Sequence, residues 1–159
     1  MIRVLMVCTG NICRSPMAEA VLRDMVDKAG LSDQIEVDSA GISDEELGNH
    51  THPRTSEVLR RNNIPNNPTR PARPVAWSDY EQFDYMLAMD QGHEGYLKIY
   101  GEYKPVTIQL FLKDAFEAHM VNRENVPDPY YTNLYESTYE LVTKGSEAFL
   151  AKLRKRHNL

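Results

Sequence analysis

Two residues near the N-terminus have the types and spacing for nucleophilic chemistry on phosphate. Cys8 and Arg14 are separated by five residues. At a helix N-terminus or beside a cation, the pKa of a cysteine falls from about 8.5 to roughly 3.5–7.5, so we expect Cys8 to be a thiolate. The guanidinium of Arg14 offers a planar fork of donors that matches two phosphate oxygens. A thiolate beside a bound phosphate predicts nucleophilic attack on phosphorus.

The flanking sequence predicts the elements that position these side chains. Residues 2–7 are nearly all apolar and rich in branched side chains, as in a strand buried on both faces. Apolar residues at helical spacing follow, with Ser15 suited to the cap and Pro16 to the first helical position. A loop between the two can turn the free N–H groups of the helix toward an anion. Gly10 allows a turn that other residues resist, and Asn11 tolerates the left-handed region.

A candidate general acid lies far along the chain, in Val126-Pro127-Asp128-Pro129-Tyr130-Tyr131. A phenoxide or alkoxide leaves more easily when a carboxylic acid protonates it. Prolines on both sides restrict the backbone of Asp128 and hold its carboxyl group in place. The alternative is a turn in which Asp128 only stabilises its own backbone, and spacing alone favours that turn. Tyr130 and Tyr131 would form a wall for an aromatic ring.

The N-terminal motif resembles the signature of the low-molecular-weight protein tyrosine phosphatases, and the stretch 128–131 resembles the acid loop of that family. The likeness extends from residue 2 to residue 153. It implies a phosphatase that hydrolyses phosphotyrosine and small aryl phosphates through a phosphocysteine intermediate. In it Cys8 is the nucleophile, Arg14 binds phosphate and Asp128 is the general acid and base. The resemblance assigns the rest of the phosphate loop to Thr9, Gly10, Asn11, Ile12, Cys13 and Ser15.

Supporting roles also follow from the resemblance. The hydroxyl of Ser15 would donate to the Cys8 thiolate and ease its departure from phosphocysteine. Asn11 and Ser39 would brace the loop. Asp90 would pair with a neighbour in the active site, or would simply cap a helix that follows a strand.

The chain departs from the family pattern at two places. Many relatives carry an aromatic residue in the loop that here reads Asp44-Glu45-Glu46. The substrate mouth, which we assign to Glu45, Tyr130 and Tyr131, would therefore differ in shape and charge. A histidine often found in the proline-rich segment is replaced, and Arg70 is the nearest residue.

Composition limits the class of protein. The chain has 159 residues and a net charge of −5 without a clustered basic face, which argues against a nucleic-acid partner. No apolar stretch approaches the length of a membrane span. Two cysteines, close together, are too few for a secreted disulfide framework, so we expect a cytoplasmic protein. The five histidines have no ligand spacing; we expect them at the surface and assign no metal and no cofactor.

Alternating strand and helix signals predict an α/β fold, with one parallel four-stranded sheet, helices on both faces and a single domain over residues 1–159. The predicted strands are 2–7, 34–39, 85–89 and 106–112. The first predicted helix begins at residue 16 and ends before Gly30. The other predicted helices cover 53–62, 78–83, 90–100 and 133–156. Ligands of such sheets bind beyond the carboxyl ends of the strands, where residues 8–15 would lie.

Two other functions are compatible with this pattern. Arsenate reductases share the fold and loop, but their relay needs further cysteines, and none follows Cys13. A phosphate-binding or redox-sensing module without turnover would also explain the loop. Loss of the acid or of the arginine would support that alternative, but Arg14 and Asp128 are both present. For the phosphatase we expect tyrosine-phosphorylated proteins as substrates, phosphate and other oxyanions as inhibitors, and a monomer or weak oligomer.

Cys13 has two interpretations. An oxidised Cys8 could be trapped by Cys13 as a disulfide, which would protect the nucleophile from irreversible oxidation. This requires a curled loop that brings the two Cα atoms within roughly 7 Å. Alternatively Cys13 is a small packing residue behind the loop, since free cysteine is usually buried.

Overall fold

The computed structural model describes all 159 residues, and its four strands are each followed by one to three of the seven helices. The strands are β1 (Ile2–Cys8), β2 (Ile35–Gly41), β3 (Tyr85–Ala88) and β4 (Thr107–Leu110). The helices are α1 (Arg14–Lys28), α2 (Pro53–Arg61), α3 (Asp79–Gln82), α4 (Gln91–Gly101), α5 (Lys113–Glu117), α6 (Pro129–Thr132) and α7 (Tyr135–His157).

The strands form one parallel sheet in the order β2-β1-β3-β4, which confirms the predicted fold class. Alternate residues of β1 serve two cores. Val4, Met6 and Cys8 pack in the larger cluster with residues of α1 and α7. Leu5 and Val7 point to the opposite face, in the smaller cluster that includes residues of α3 and α4. Burial on both faces explains why β1 reads as a continuous apolar run.

The strand register aligns the carboxyl ends of β1, β2 and β3 at one edge of the sheet. Cys8 ends β1 opposite Gly41, which ends β2, and Val7 pairs with Ala88, which ends β3. The loop after β1, the start of α4 after β3 and the segment around Asp128 therefore meet beyond the carboxyl ends of the strands. None of the helices combines the length and hydropathy that a membrane span requires.

Several boundaries differ from the sequence predictions. Helix α1 begins at Arg14, and the cap position is Cys13, which makes no side-chain capping bond. Ser15 is therefore a helical residue, and its hydroxyl serves the loop instead. Strand β2 continues through Gly41 because it follows β1 to the sheet edge. The sequence also missed α6, whose four residues are too few to show a helical period.

Candidate active site

The loop between β1 and α1 is a cradle of free backbone donors. None of the N–H groups of residues 9–15 donates a hydrogen bond to an acceptor within the protein. Asn11 has a φ of 60°, in the left-handed region that this residue type tolerates. Unpaired N–H groups that lead into a helix N-terminus are suited to hold an oxyanion such as phosphate.

The side chain of Asn11 fastens this cradle to its surroundings. Its Nδ2 donates to Ser15 Oγ at 2.8 Å and to Ser39 Oγ at 3.0 Å. Its Oδ1 accepts from Arg70 Nη1 at 2.9 Å and from the N–H of Arg73 at 3.1 Å. Asn11 is 1% exposed, so its bonds to the two serines are shielded from water, while those to Arg70 and Arg73 are partly buried. Arg70, the replacement noted in the sequence, thus takes part in bracing the loop.

Two glycines keep room around the loop, for reasons that differ from the sequence prediction. Gly10 does not have a positive φ. A Cβ there would instead come within 3.0 Å of Glu46 Cγ. A Cβ on Gly41 would lie 2.5 Å from the carbonyl oxygen of Thr9. Since that oxygen belongs to backbone, Gly41 is required for the loop to lie on β2, and sequence analysis missed this role.

Cys8 forms the floor of the cradle, where its side chain is 3% exposed. Its Sγ lies 2.9 Å from Ser15 Oγ. Because Ser15 Oγ accepts from Asn11, the hydroxyl proton of Ser15 is free to point at the sulfur. This arrangement places a hydrogen-bond donor beside the sulfur.

The guanidinium of Arg14 is fixed in place by hydrogen bonds from Nη1. Nη1 donates to Asp90 Oδ2 at 2.9 Å and to the carbonyl oxygen of Val126 at 2.9 Å. Both protons of Nη1 are therefore used, which leaves Nε and Nη2 to face an anion in the cradle. The side chain is almost completely buried, so this orientation is fixed before any substrate arrives.

Asp90 fulfils both roles proposed for it. Oδ2 accepts from Arg14, while Oδ1 accepts from the N–H of His93 at 3.1 Å and caps α4. Burial opposes ionisation of this carboxyl, but the His93 N–H and the Arg14 guanidinium outweigh it and lower the pKa of Asp90 below its ordinary value. Asp90 is thus a fixed anion behind Arg14.

Asp128 is also shared between a cap and the site. Its Oδ1 accepts from the N–H of Tyr130 at 3.1 Å at the start of α6, which is the backbone contact that the alternative interpretation foresaw. Its Oδ2 lies 3.5 Å from Arg14 Nη2 and lines the same pocket as Cys8. The cap therefore orients a carboxyl group that faces the cradle.

The mouth of the pocket has an aromatic wall and an acidic wall. Tyr130 and Tyr131 contact each other edge to face, with ring centroids 5.3 Å apart. Glu45 and Glu46 line the same pocket, Glu46 beside Gly10 of the loop, and neither forms an ion pair. The pocket is lined by Cys8, Thr9, Gly10, Ile12, Cys13, Arg14, Glu45, Glu46, Asp128, Tyr130 and Tyr131. All three residues assigned to the substrate mouth thus lie at one opening.

The expectation that every histidine lies at the surface is wrong for His93, which is 3% exposed. His93 sits in the first turn of α4, and its Nε2 is 2.8 Å from Thr9 Oγ1. His52 is half-buried, with its ring stacked on Tyr135 at 5.3 Å. Single histidines without a repeated spacing carried no sequence signal for these contacts. No group of three or more potential metal ligands is clustered in the structure.

Cys13 is a buried free thiol beneath the loop. Its Sγ lies 3.8 Å from the hydroxyl of Tyr135. Burial raises the pKa of Cys13 to about 12, so the thiol is neutral at physiological pH.

Comparison with known proteins identifies the family of this chain. The model of the family described as low molecular weight phosphotyrosine protein phosphatase matches residues 3–159. The low molecular weight protein-tyrosine-phosphatase YfkJ of Bacillus subtilis is 43% identical over the full length of both chains. The crystal structure of YfkJ aligns with a TM-score of 0.91 over 98% of this chain and 96% of that chain. The chain therefore belongs to the low molecular weight phosphotyrosine protein phosphatase family.

More distant relatives vary in the activity that their names state. A low molecular weight phosphotyrosine protein phosphatase of Sus scrofa is 36% identical over 95% of each chain. The crystal structure of DARP, a Drosophila arginine phosphatase, is 29% identical, with a TM-score of 0.86 over 95% of this chain and 97% of that chain.

Proposed function

We propose that the protein hydrolyses phosphotyrosine, and small aryl phosphates, through a phosphocysteine intermediate. The observation that carries this proposal is the convergence of four features on one pocket. These are the Cys8 sulfur, the free N–H groups of residues 9–15, the guanidinium of Arg14 and the carboxyl of Asp128. Together they supply a nucleophile, an anion cradle, a bidentate cation and a proton donor.

In the first step the Cys8 thiolate attacks phosphorus and the bond to the tyrosine oxygen breaks. Asp128 gives its proton to that oxygen, so tyrosine leaves as a neutral phenol. The N–H groups of the loop and the outer nitrogens of Arg14 hold the three remaining oxygens as charge shifts among them.

In the second step a water molecule attacks phosphorus, Asp128 takes a proton from it, and the phosphorus–sulfur bond breaks. The products are inorganic phosphate and the Cys8 thiolate. The Ser15 hydroxyl, 2.9 Å from the sulfur, stabilises the departing thiolate by donating to it.

The direct test is turnover of para-nitrophenyl phosphate and a phosphotyrosine peptide by the wild type and by Cys8→Ser. We expect the wild type to release phosphate, with competitive inhibition by phosphate. The serine variant should retain phosphate binding but lose turnover, because a neutral hydroxyl is a poor nucleophile. More than trace activity in Cys8→Ser would overturn the mechanism.

Substrate class is tested in the same assay. The apolar and aromatic wall of Ile12, Tyr130 and Tyr131 supports an aryl phosphate. Because the structurally similar DARP is named an arginine phosphatase, phosphoarginine is the substrate to compare. We expect the higher kcat/KM for phosphotyrosine. Arsenate reduction remains the poorer alternative, since Cys8 and Cys13 are the only thiols available for a relay.

The proposal also covers the cellular location and the oligomeric state of the protein. Both cysteines are free and the nucleophile must stay reduced, which supports a cytoplasmic location. We propose that tyrosine-phosphorylated proteins are the partners and that the chain acts as a monomer or weak oligomer. Cell fractionation and analytical ultracentrifugation test these two points.

A further inference from the structure

We propose that His93 is a positioning residue that sets both ends of the phosphate loop, an inference that rests on the proposed phosphatase function. The observation is a chain of contacts that passes through the buried ring of His93. It runs from Thr9 to His93, then to Asp90 and on to Arg14. Thr9 is the first residue after the nucleophile, and Arg14 is the phosphate-binding arginine.

The geometry assigns one tautomer to the imidazole. Nε2 lies 2.8 Å from Thr9 Oγ1, and Nδ1 lies 3.3 Å from Asp90 Oδ1 without meeting the alignment of a hydrogen bond. With the proton on Nδ1, that nitrogen faces the carboxylate favourably and Nε2 accepts from the Thr9 hydroxyl. With the proton on Nε2, a nitrogen lone pair would face the carboxylate oxygen. The ring is therefore a neutral acceptor toward Thr9.

The consequence for Thr9 is a fixed peptide orientation. Its carbonyl oxygen accepts from the N–H of Ser43 at 3.1 Å, and its hydroxyl is taken by His93. The N–H of Thr9 is then its only polar group without a partner in the protein. Anchoring on both sides keeps that N–H directed to the cradle before substrate binds, which lowers the reorganisation needed on binding.

The consequence for Arg14 passes through Asp90. The first turn of α4 carries Asp90 at its cap and His93 three residues later, so one helical turn contacts both ends of the loop. Asp90 holds Arg14 Nη1, and the adjacent Nδ1–H of His93 favours the ionised carboxylate. The arrangement makes α4 a rigid support for the cradle.

The test measures affinity for inorganic phosphate by calorimetry, alongside kcat and KM for para-nitrophenyl phosphate. His93→Phe keeps a ring but removes both nitrogens. We expect its Kd for phosphate to rise roughly tenfold, with a similar loss in kcat/KM, the effect of about one buried hydrogen bond. Leu97→Val, in the same helix and fully buried but away from the loop, should lower the melting temperature and leave both constants unchanged.

Conservative variants separate the two contacts. His93→Gln can place an amide oxygen near the Nε2 position and should recover most of the phosphate affinity. The shorter side chain in His93→Asn can contact Asp90 but not Thr9, so this variant should not recover it. Thr9→Val removes the bond to His93 but keeps the contact of His93 with Asp90, so it should lose no more affinity than His93→Phe does. The double variant should be no worse than His93→Phe alone, because that variant already lacks the bond to Thr9.

The inference fails if His93→Phe binds phosphate as the wild type does, or if the two substitutions add fully. It also fails if His93→Asn recovers affinity as well as His93→Gln does. Since calorimetry needs no turnover, the inference can fail while the phosphatase activity stands. If the wild type binds phosphate but hydrolyses neither substrate, the proposed function fails instead. Should the phenylalanine variant not fold, Thr9→Val and the two amide variants still decide the outcome.

Discussion

Ser15 Oγ lies 2.9 Å from Cys8 Sγ and accepts a hydrogen bond from Asn11 Nδ2 at 2.8 Å. The hydroxyl proton of Ser15 can therefore point to the sulfur, which is nearer than its other acceptor, the carbonyl oxygen of Ala40 at 3.5 Å. Asn11 is itself bonded to Arg70, which also contacts Glu19 and the carbonyl of Ser39. The nucleophile is thus linked through two neutral side chains to a buried, charged network that fixes the loop.

Removal of this hydroxyl should slow the second chemical step more than the first. In Ser15→Ala the thiolate leaves phosphocysteine without its donor, and a hydrogen bond to a charged group contributes about 1.5–3 kcal/mol. We expect hydrolysis of the intermediate to fall roughly 10- to 100-fold, seen as a burst of para-nitrophenol followed by slow turnover. Ser146→Ala, a buried serine without hydrogen-bond partners in α7, is the control and should show no burst. Equal slowing of both phases would contradict the assignment.

Replacement of Asp128 should depend on the leaving group. Asp128→Asn keeps an acceptor for the N–H of Tyr130 but cannot donate a carboxylic proton. General acid catalysis contributes about 10²–10⁴-fold, and a poor leaving group needs more of it. We expect kcat to fall strongly for phenyl phosphate and less for para-nitrophenyl phosphate. A constant loss across a series of substituted phenyl phosphates would remove Asp128 from the role.

The sequence predicted the fold, and it predicted that Cys8, Arg14 and Asp128 lie in one pocket, because the signals for both are local. Cys8, Arg14 and the strand–loop–helix order lie within one stretch, and the prolines mark Asp128. Each of the two interpretations of Asp90 was right, since one carboxylate has two oxygens and uses one for the cap and one for Arg14.

What the sequence missed depends on contacts between distant segments. The need for Gly41 arises from its register with Cys8 and its distance to the Thr9 carbonyl. His93 and Thr9 are 84 positions apart, and only the sheet order brings α4 beside the loop. The last helix, predicted over residues 133–156, begins only at Tyr135, and Leu134 just before it is 59% exposed.

Stability at acidic pH should reflect His93. Burial, aided by the Arg14 guanidinium, lowers the pKa of His93 to about 4 from an ordinary 6.5. Below pH 6.5 the unfolded chain takes up a proton that the folded chain refuses. Stability therefore falls as pH drops from about 6.5 to about 4, where the effect levels off. We expect a loss of about 2–3 kcal/mol between pH 7 and 4.5.

Denaturant unfolding at both pH values, for the wild type and His93→Gln, checks this expectation. The glutamine variant should lose less stability on acidification by about that amount, whatever its stability at pH 7. His119→Gln, at an exposed position, is the matched control and should behave as the wild type. Identical pH slopes for the wild type and His93→Gln would show that His93 does not titrate in this range.

The acidic wall should select substrates by charge. Glu45 and Glu46 line the pocket without a cationic partner, so residues beside a bound phosphotyrosine meet two carboxylates. We expect peptides with arginine next to phosphotyrosine to have a several-fold higher kcat/KM than peptides with glutamate, a difference that shrinks as salt rises. The double variant Glu45→Gln/Glu46→Gln should abolish the preference. Glu57→Gln, on α2 outside the pocket, should retain the preference for arginine. If the preference is unchanged in both variants, Glu45 and Glu46 do not determine it.

The oxidation of Cys8 distinguishes the two interpretations of Cys13. If Cys13 traps the sulfenic acid of Cys8, peroxide should inactivate the wild type reversibly, and dithiothreitol should restore activity. The Cys13→Ser variant should lose activity irreversibly under the same exposure, because the sulfenic acid of Cys8 then oxidises further. Mass spectrometry should find an intramolecular disulfide in the wild type alone.

The pH dependence of that trap gives a second readout. The attacking species is a thiolate, and burial raises the pKa of Cys13 to about 12. The thiolate fraction, and with it the rate of disulfide formation, should therefore rise roughly tenfold per pH unit from pH 6 to 9. Rapid quenching after a peroxide pulse measures this rate. Equal recovery of the wild type and Cys13→Ser, with no disulfide at any pH, would leave Cys13 as a packing residue beneath the loop, beside the hydroxyl of Tyr135.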